Sequence, residues 1–144
     1  MANTQTLPTY DAIRIAAMSA YYATANAWKA ALFFASATIN GTTTAYSTTG
    51  EATGTGYTAG GVAVTHANAP AISSNVTYVQ PSASISFGTI SITAFDAVML
   101  YDDDNSDRNL GVFTFSSQTI VAATFTLNMP TNNSTTGLIR WTWS

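Results

Sequence analysis

Side chains that could hold a metal ion are concentrated in one short stretch of this chain. Four aspartates lie within residues 102–107. The spacing Asp102-x-Asp104 resembles the start of a calcium-binding loop, in which alternate side chains supply oxygen ligands. The sixth position, however, is Asp107 where such a loop needs Gly, and the twelfth is Phe113 where it needs Glu. We therefore expect a solvated hairpin tip and no cofactor, with Asp102, Asp104 and Asp107 as the candidate metal ligands.

Catalysis by a nucleophile or by paired carboxylates lacks the residues that it needs. The single histidine, His66, lies in a strand-like pattern, and no Gly-x-Ser-x-Gly segment accompanies it. Glu51 is the only glutamate, and nothing in the sequence fixes its distance from Asp96, so a glycosidase pair has no support. The sequence therefore predicts a protein that is not an enzyme.

A glycine-rich segment, EATGTGYTAGG at residues 51–61, is the most distinctive part of the sequence. Gly54 to Ala59 match the spacing of a dinucleotide-binding loop, but a strand-like pattern follows where that mechanism requires a helix N-terminus. No Gly-Lys-Ser/Thr sequence occurs, which excludes a phosphate-binding loop of that type. The expected role of the glycines is to permit positive φ angles in a tight, ordered loop.

The low charge content limits the partners that the chain can bind. Only 8% of the residues are charged, and the formal net charge is −3. Four basic residues are too few for the positive stripe that nucleic acid requires, and no run of apolar residues is long enough to predict a membrane span. The N-terminal residues lack the pattern of a secretory leader, so we expect synthesis in the cytoplasm. Burial against partner molecules is one way to keep such a surface soluble.

The elements that position these residues begin with one helix. Residues 9–25 favour a helix, with Thr9 as a candidate N-cap and Asp11 at the favourable end of the helix dipole. Residues 1–8 are expected to form an arm in front of it. The apolar spacing predicts that one helix face packs on the core. That face carries Ile13, Ala17, Ala20 and Tyr21.

The rest of the chain shows the short apolar runs and period-two alternation of β-strands. A buried strand is expected at residues 28–37, although its alanines leave a helix open as the alternative, and a long loop is expected at 40–61. Further strands are predicted at 62–66, 76–79, 84–87, 90–93, 95–101, 110–115, 120–129 and 138–143. We therefore predict one domain, residues 9–144, that is mainly β: an antiparallel β-sandwich or barrel-like fold of seven or eight strands with one N-terminal helix.

Large apolar side chains define the expected core. It consists of Trp28, Phe33, Phe95, Val98, Leu100, Phe113, Phe125, Leu127 and Ile139. Other aromatic residues allow two uses: packing in the core or at an interface, which is the commoner, or a platform for binding sugars. The residues concerned are Tyr46, Tyr57, Tyr78, Trp141 and Trp143.

The glycine-rich segment resembles the E-x-x-G-x-G-Y-x-x-G-G segment of small virion proteins of tailed bacteriophages. The resemblance extends over most of residues 9–141: a helical lead-in, a strand like WKAALFF, a strand like ITAFDAVMLY and a closing apolar strand. The chain departs from the pattern in its acidic turn at 102–107 and in Phe95-Asp96, where a basic residue is common. The resemblance implies a structural component of the phage head or tail without catalytic activity.

The function expected from the residues and the resemblance together is that of a capsid decoration, or cement, protein. It would be made in the host cytoplasm, bind the outside of the phage head and stabilise it. The alternative is a tail, connector or fibre component, and one form of this alternative is a carbohydrate-binding adhesion module. The expected partners are further copies of the chain, for example in a trimer, and the major capsid protein, with a glycan as the less favoured partner. Candidate contact residues are Leu7, Pro8, Tyr46, Gly54, Gly56, Tyr57, Gly60 and Gly61.

Overall fold

A computed structural model describes residues 10–65 and 69–142, and these residues form one helix and seven strands. The helix, α1, is Tyr10–Tyr21. The strands are β1 (Trp28–Phe34), β2 (Val62–Ala63), β3 (Ala71–Ser73), β4 (Val76–Val79), β5 (Ile85–Asp102), β6 (Arg108–Leu127) and β7 (Ile139–Thr142). The predicted mainly β class, with antiparallel sheets and an N-terminal helix, is confirmed. No helix in the described part of the chain has the length and apolar character for crossing a membrane.

Two antiparallel sheets make up the fold. The large sheet has the order β2-β1-β5-β6, and the small sheet has the order β3-β4-β7. A long hairpin forms the centre and one edge of the large sheet, since β5 and β6 pair from Asp102 and Arg108 to Ile85 and Leu127. β1 pairs antiparallel with the other side of β5 along its whole length, with one register shift between Phe33 and Phe34.

The hairpin strands are much longer than the sequence predicts. Apart from Ser84, the predicted strands 84–87, 90–93 and 95–101 all lie in β5. Apart from Asn128 and Met129, the predicted strands 110–115 and 120–129 both lie in β6. Five shifts of register interrupt the pairing, and Ala94 and Ala122 have positive φ angles of 56° and 48°. A β-bulge adds a residue to one strand without ending the pairing. A break in the alternating pattern therefore marks a bulge in this hairpin, and the prediction of separate strands is wrong.

The shorter strands follow the predictions more closely. β4 occupies the predicted residues 76–79, and β7 lies within the predicted 138–143. β2 covers only the first two residues of the predicted strand 62–66, and β3 is not predicted from the sequence at all. His66 lies outside the described residues.

The core lies on both faces of the large sheet. On one face, Trp28, Leu32 and Leu100 pack towards the small sheet and the helix. On the other face, Phe33 and Tyr101 are covered by side chains of the loop that follows β1. β1 is therefore buried almost throughout, which accounts for its continuous apolar sequence. Six of the nine predicted core residues are buried, and the three on β6 are half-buried: Phe113, Phe125 and Leu127.

The helix packs on the protein with a different face from the predicted one. Met18 is fully buried and Tyr22 is 6% exposed, whereas Ile13 is 52% exposed. The predicted contact face is wrong, because all of its residues are exposed: Ile13, Ala17, Ala20 and Tyr21. Alanines make several stripes of this helix apolar, so the larger Met18 and Tyr22 decide which stripe fills the space beside the small sheet. The predicted N-cap, Thr9, lies outside the described residues.

Candidate functional site

The acidic turn between β5 and β6 begins with a buried carboxylate. Asp102 is fully buried and accepts hydrogen bonds from Nδ2 of Asn26 at 3.1 Å and 2.9 Å, one on each oxygen. Nη2 of Arg108 lies 3.4 Å from the same carboxylate. A buried charge needs partners of this kind, because desolvation without them costs several kcal/mol. Asp102 therefore ties the hairpin to the segment that follows the helix.

Two other aspartates of the turn, Asp103 and Asp104, bind separate partners. Asp104 accepts a hydrogen bond of 2.7 Å from the Ala27 N–H, and Asp103 forms an ion pair with Lys29 at 3.0 Å. Asp107 takes a positive φ of 53° in the turn. Within residues 10–65 and 69–142, no group of three His, Cys, Asp or Glu side chains is placed to hold a metal ion. The structure thus gives the candidate ligands Asp102 and Asp104 hydrogen-bonding roles within the chain.

A second cluster of polar side chains surrounds Glu51, which is only 5% exposed. Oε1 accepts hydrogen bonds from the Tyr57 hydroxyl and the Gly60 N–H, both at 2.8 Å, and Oε2 accepts one from the Tyr46 hydroxyl at 2.5 Å. The Tyr101 hydroxyl donates to the Gly60 carbonyl at 2.6 Å, and its ring stacks on Tyr46 at 4.5 Å. We call Glu51, Tyr46, Tyr57 and Tyr101 the tyrosine cluster. It fastens both ends of the glycine-rich segment to the large sheet.

Tyr57 also completes the hydrogen bonding of β1. Its hydroxyl oxygen accepts a hydrogen bond of 2.9 Å from the Leu32 N–H, on the strand edge that faces away from β5. The neighbouring bonds on that edge come from Ala52 N–H to the Leu32 carbonyl and from Phe34 N–H to the Gly50 carbonyl. A buried amide without a partner costs about 1–3 kcal/mol, so the side chain replaces a missing strand partner.

Burial raises the pKa of the tyrosine hydroxyls in this cluster well above the ordinary value. Desolvation is the largest cause for Tyr46, Tyr57 and Tyr101, and the nearby Glu51 carboxylate raises the pKa of each further. The three phenols therefore keep their protons near neutral pH and act as hydrogen-bond donors. The cluster thus holds the backbone in place through neutral phenols that donate hydrogen bonds.

The glycines of the glycine-rich segment allow its backbone to approach the sheet closely. A Cβ atom at Gly54 would lie 2.0 Å from the Ser91 carbonyl oxygen, and one at Gly61 would lie 1.8 Å from that of Ala30. Gly61 also has a φ of +72°, which favours glycine. The expected positive φ angles are present at Gly56, Gly60 and Gly61. The expectation is wrong for Gly54, where close approach to Ser91 and not a positive φ requires glycine.

Most of the predicted contact residues have partners within the chain. Tyr46, Tyr57 and Gly60 belong to the hydrogen-bond network around Glu51. Gly54 and Gly56 are exposed, and their backbone lies against Ser91 and Thr89 of β5. Leu7 and Pro8 lie outside the described residues. A contact between these residues and another molecule stays a prediction.

An open cleft of about 480 Å³ lies where the helix end, the loop after β1, the start of β6 and β7 meet. Three aromatic side chains form one wall: Tyr21 and Tyr22 from the end of α1, and Trp141 from β7. Tyr22 lies 5.1 Å from Tyr21 and 5.7 Å from Trp141, measured between ring centroids. We call this the aromatic cleft. Its other lining residues are Asn40, Gly41, Thr43, Thr44, Arg108, Asn109, Leu110, Gly111 and Val112.

Arg108 is the charged residue on the cleft lining. Its guanidinium lies 4.3 Å from the centroid of the Tyr21 ring, and Nη2 donates to the Tyr21 carbonyl as well as facing Asp102. Nε is buried and has no hydrogen-bond partner among the described residues. The Tyr21 hydroxyl donates to the Asn109 carbonyl at 2.9 Å. These contacts hold the arginine and the aromatic wall in fixed positions.

Trp141 is a candidate sugar-binding residue from the sequence, but its neighbours in the structure are not predictable from the residues around it. Tyr21 is assigned to the buried helix face, and Arg108 is counted only as one of four basic residues. Two features of the sequence could have indicated the cleft. These are the adjacent tyrosines at the end of the helix and the arginine directly after the acidic turn. Tyr46 and Tyr57 belong to the tyrosine cluster, and Trp143 lies outside the described residues.

Comparison of the chain with protein-family models, with curated proteins and with solved structures found no match. The topology shows a mainly β domain of two antiparallel sheets with a packed N-terminal helix.

Proposed function

We propose that the chain is a structural protein of a tailed-phage virion and decorates the outer surface of the head. The resemblance of the glycine-rich segment to phage virion proteins is one support. The structural observation that carries the proposal is the outer edge of β6, which offers backbone groups to a neighbouring molecule along a strand that has no charged residue after Arg108.

The edge of β6 lacks the charges and prolines that block many exposed strand edges. β6 is the last strand of the large sheet, and in the part of the chain that the structure describes the loop after β1 pairs only with its first two residues, Arg108 and Asn109. No charged residue occurs between Arg108 and Arg140, and no proline occurs between Arg108 and Pro130. Val121 is 74% exposed. Exposed edges of monomeric proteins are usually blocked by charges or proline, so an edge of this kind favours association.

Bulges limit how the edge can pair. Gly111–Thr114 is the longest stretch of β6 with consecutive partners on β5, and the register shifts elsewhere. A neighbouring strand can therefore pair with short runs only, and each contact is small. Small contacts repeated over many equivalent positions suit a lattice, in which the copies and the major capsid protein stabilise one another.

The copy number in purified phage particles tests the assignment to the virion. We expect quantitative mass spectrometry to find about one copy for each major capsid protein, as a capsid-covering protein at equivalent lattice sites requires. A few copies for each particle would favour the alternative, a tail, connector or fibre component. Absence from intact particles would refute the proposal.

A charge placed on the edge tests the contact itself. In Val121→Lys, pairing would bury an ammonium group without a partner, so we expect association to weaken by about tenfold or more. Thr131→Lys, at an exposed position after β6, is the matched control and should associate like the wild-type chain. Sedimentation velocity over a range of concentrations measures the self-association of the two variants and of the wild-type chain. If Val121→Lys associates as strongly as the control, the part of β6 around Val121 is not the contact.

A further inference from the structure

We infer that the aromatic cleft binds an uncharged pyranose sugar, as the free or terminal unit of a glycan. This inference is independent of the proposed function, since it concerns a site formed by the helix end, the loop after β1, the start of β6 and β7. It depends on three observations: the aromatic wall, the polar groups opposite it, and the balance of charge.

The aromatic wall is suited to the apolar face of a sugar ring. A pyranose carries several C–H groups on one face, and these are attracted to the electron-rich face of an aromatic ring. Tyr21 is 36% exposed, and Trp141 is half-buried beside it, with 6.4 Å between the ring centroids. Behind them, Tyr22 packs edge-on against the fully buried Trp28 at 6.2 Å. The wall is therefore anchored in the core and is in place before a ligand arrives.

Polar groups on the lining can bind the hydroxyls of the same sugar. Arg108 uses Nη2 for its contacts with Tyr21 and Asp102, and Nη1 makes no hydrogen bond to a described residue. The Thr44 side chain is exposed and its hydroxyl likewise has no partner among the described residues. A guanidinium N–H donates, and a threonine hydroxyl both donates and accepts. The cleft thus combines an apolar wall with a small number of directed polar groups, as ligand sites do.

The charge of the cleft favours an uncharged ligand. The positive charge of Arg108 is balanced by the buried carboxylate of Asp102, at 3.4 Å. The remaining polar lining consists of amides and hydroxyls: Asn40, Thr43, Thr44 and Asn109. A phosphate or another dianion would find no excess of positive charge, whereas neutral hydroxyls match these groups. The volume of about 480 Å³ lies within the usual range of small-ligand sites, about 300–1,000 Å³.

Gly41 provides a way to block the cleft without removing its wall. It lies on the lining, no atom lies within 4 Å of a Cβ built on it, and its φ is not in the positive range. A tryptophan there has space to enter the cleft, so Gly41→Trp should fold normally and exclude a ligand. Gly41→Ala adds only a methyl group and is the matched control. This pair avoids Trp141→Ala, which would also remove core packing.

The experiment uses the full chain and a panel of methyl glycosides of glucose, galactose, mannose and N-acetylglucosamine. Saturation-transfer NMR and intrinsic tryptophan fluorescence report binding, and a glycan array extends the panel. We expect at least one glycoside to bind the wild-type chain and Gly41→Ala with similar affinity. Binding to Gly41→Trp should be at least about tenfold weaker, because the indole occupies the site.

Two results would overturn the inference. If no glycoside and no glycan on the array binds the wild-type chain, the cleft is not a sugar site. If a sugar binds Gly41→Trp as well as Gly41→Ala, the binding site lies elsewhere on the chain. Val121→Lys should bind the sugar normally, so a failure of the β6 contact and a failure of the sugar site can be told apart.

Discussion

At the scale of single residues, Glu51 shows how one buried carboxylate can organise a long loop. Its two oxygens accept hydrogen bonds from two phenols and one backbone amide, which come from residues 46, 57 and 60. A hydrogen bond to a charged acceptor contributes about 1.5–3 kcal/mol to stability, which is more than a hydrogen bond between neutral groups contributes. The loop after β1 and the glycine-rich segment therefore share one anchoring group.

Replacement of Glu51 tests this role. Glu51→Gln keeps one acceptor oxygen for Tyr57 and Gly60 but puts an amide nitrogen opposite the Tyr46 hydroxyl. That hydroxyl must then accept a hydrogen bond where it now donates one. We expect the free energy of unfolding to fall by about 1–3 kcal/mol, measured by urea denaturation. Asp96→Asn makes the same chemical change at a half-buried position on β5 and should change stability by less than about 0.5 kcal/mol. Equal stability of the two variants would contradict the anchoring role.

Single residues also show which parts of the sites can be predicted from the sequence. Glu51 stands out because it is the only glutamate and because the spacing of the following glycines is distinctive. Its bond to Tyr46 spans only five positions, but the stacking of Tyr46 on Tyr101 and the bond from Tyr101 to Gly60 span more than forty. No local pattern contains such distant contacts. The same holds for Asp102, whose partner Asn26 lies beyond the helix.

At the scale of elements, the glycine-rich segment depends on close approach between its backbone and β1. Gly61→Ala would place a Cβ atom 1.8 Å from the Ala30 carbonyl oxygen at a φ of +72°. We expect the strain and the steric overlap together to lower the free energy of unfolding by about 2–4 kcal/mol. Gly41→Ala, with open space around its Cβ, is the control. Thermal denaturation followed by circular dichroism compares the two, and a Gly61→Ala variant as stable as the control would show that the segment moves away from β1 easily.

The observed elements agree with those predicted from the sequence where local periodicity determines them. They differ from the prediction where packing between distant residues determines them. The apolar run of β1 and the short β4 are predictable, because their residues are locally consistent with a strand. β5 and β6 continue through Gly88 and Ala122, since pairing over the rest of the hairpin outweighs the local preference for a break. The contact face of the helix is set by which side chain fits beside the small sheet, and alanine spacing carries no information about that.

At the scale of the whole molecule, the fold class is predictable but the aromatic cleft is not. Alternation of apolar residues and frequent turn signals are sufficient for a mainly β domain. The cleft needs the end of the helix, the loop after β1, β6 and β7 to meet, and these elements belong to different layers. Strand order and layer packing are long-range properties, so a site between layers follows only from the three-dimensional structure.

The buried tyrosines make the stability of the whole molecule sensitive to high pH. Burial raises the pKa of Tyr22, Tyr46, Tyr57 and Tyr101 above the ordinary value of 10.0. A phenol with a raised pKa keeps its proton in the folded chain at a pH where the unfolded chain releases it. Its stabilising contribution is therefore complete below pH 10 and is lost as the pH rises above 10. A fully shielded phenol lowers the free energy of unfolding by about 1.4 kcal/mol for each pH unit in that range, and the partial exposure of Tyr46 reduces its share.

Urea denaturation at several pH values between about 8 and about 11.5 measures this dependence. We expect a constant denaturation midpoint up to about pH 9.5 and a progressive fall above it. Part of the absorbance change that reports tyrosine ionisation should occur only at a pH well above 10. Tyr57→Phe removes one of the shielded phenols. This variant should be less stable at pH 8, since the Leu32 N–H loses its acceptor, but its stability should fall less steeply above pH 10. A midpoint that stays constant to the highest pH, or equal slopes in the two chains, would mean that the phenols ionise within the folded protein and that the cluster is open to solvent.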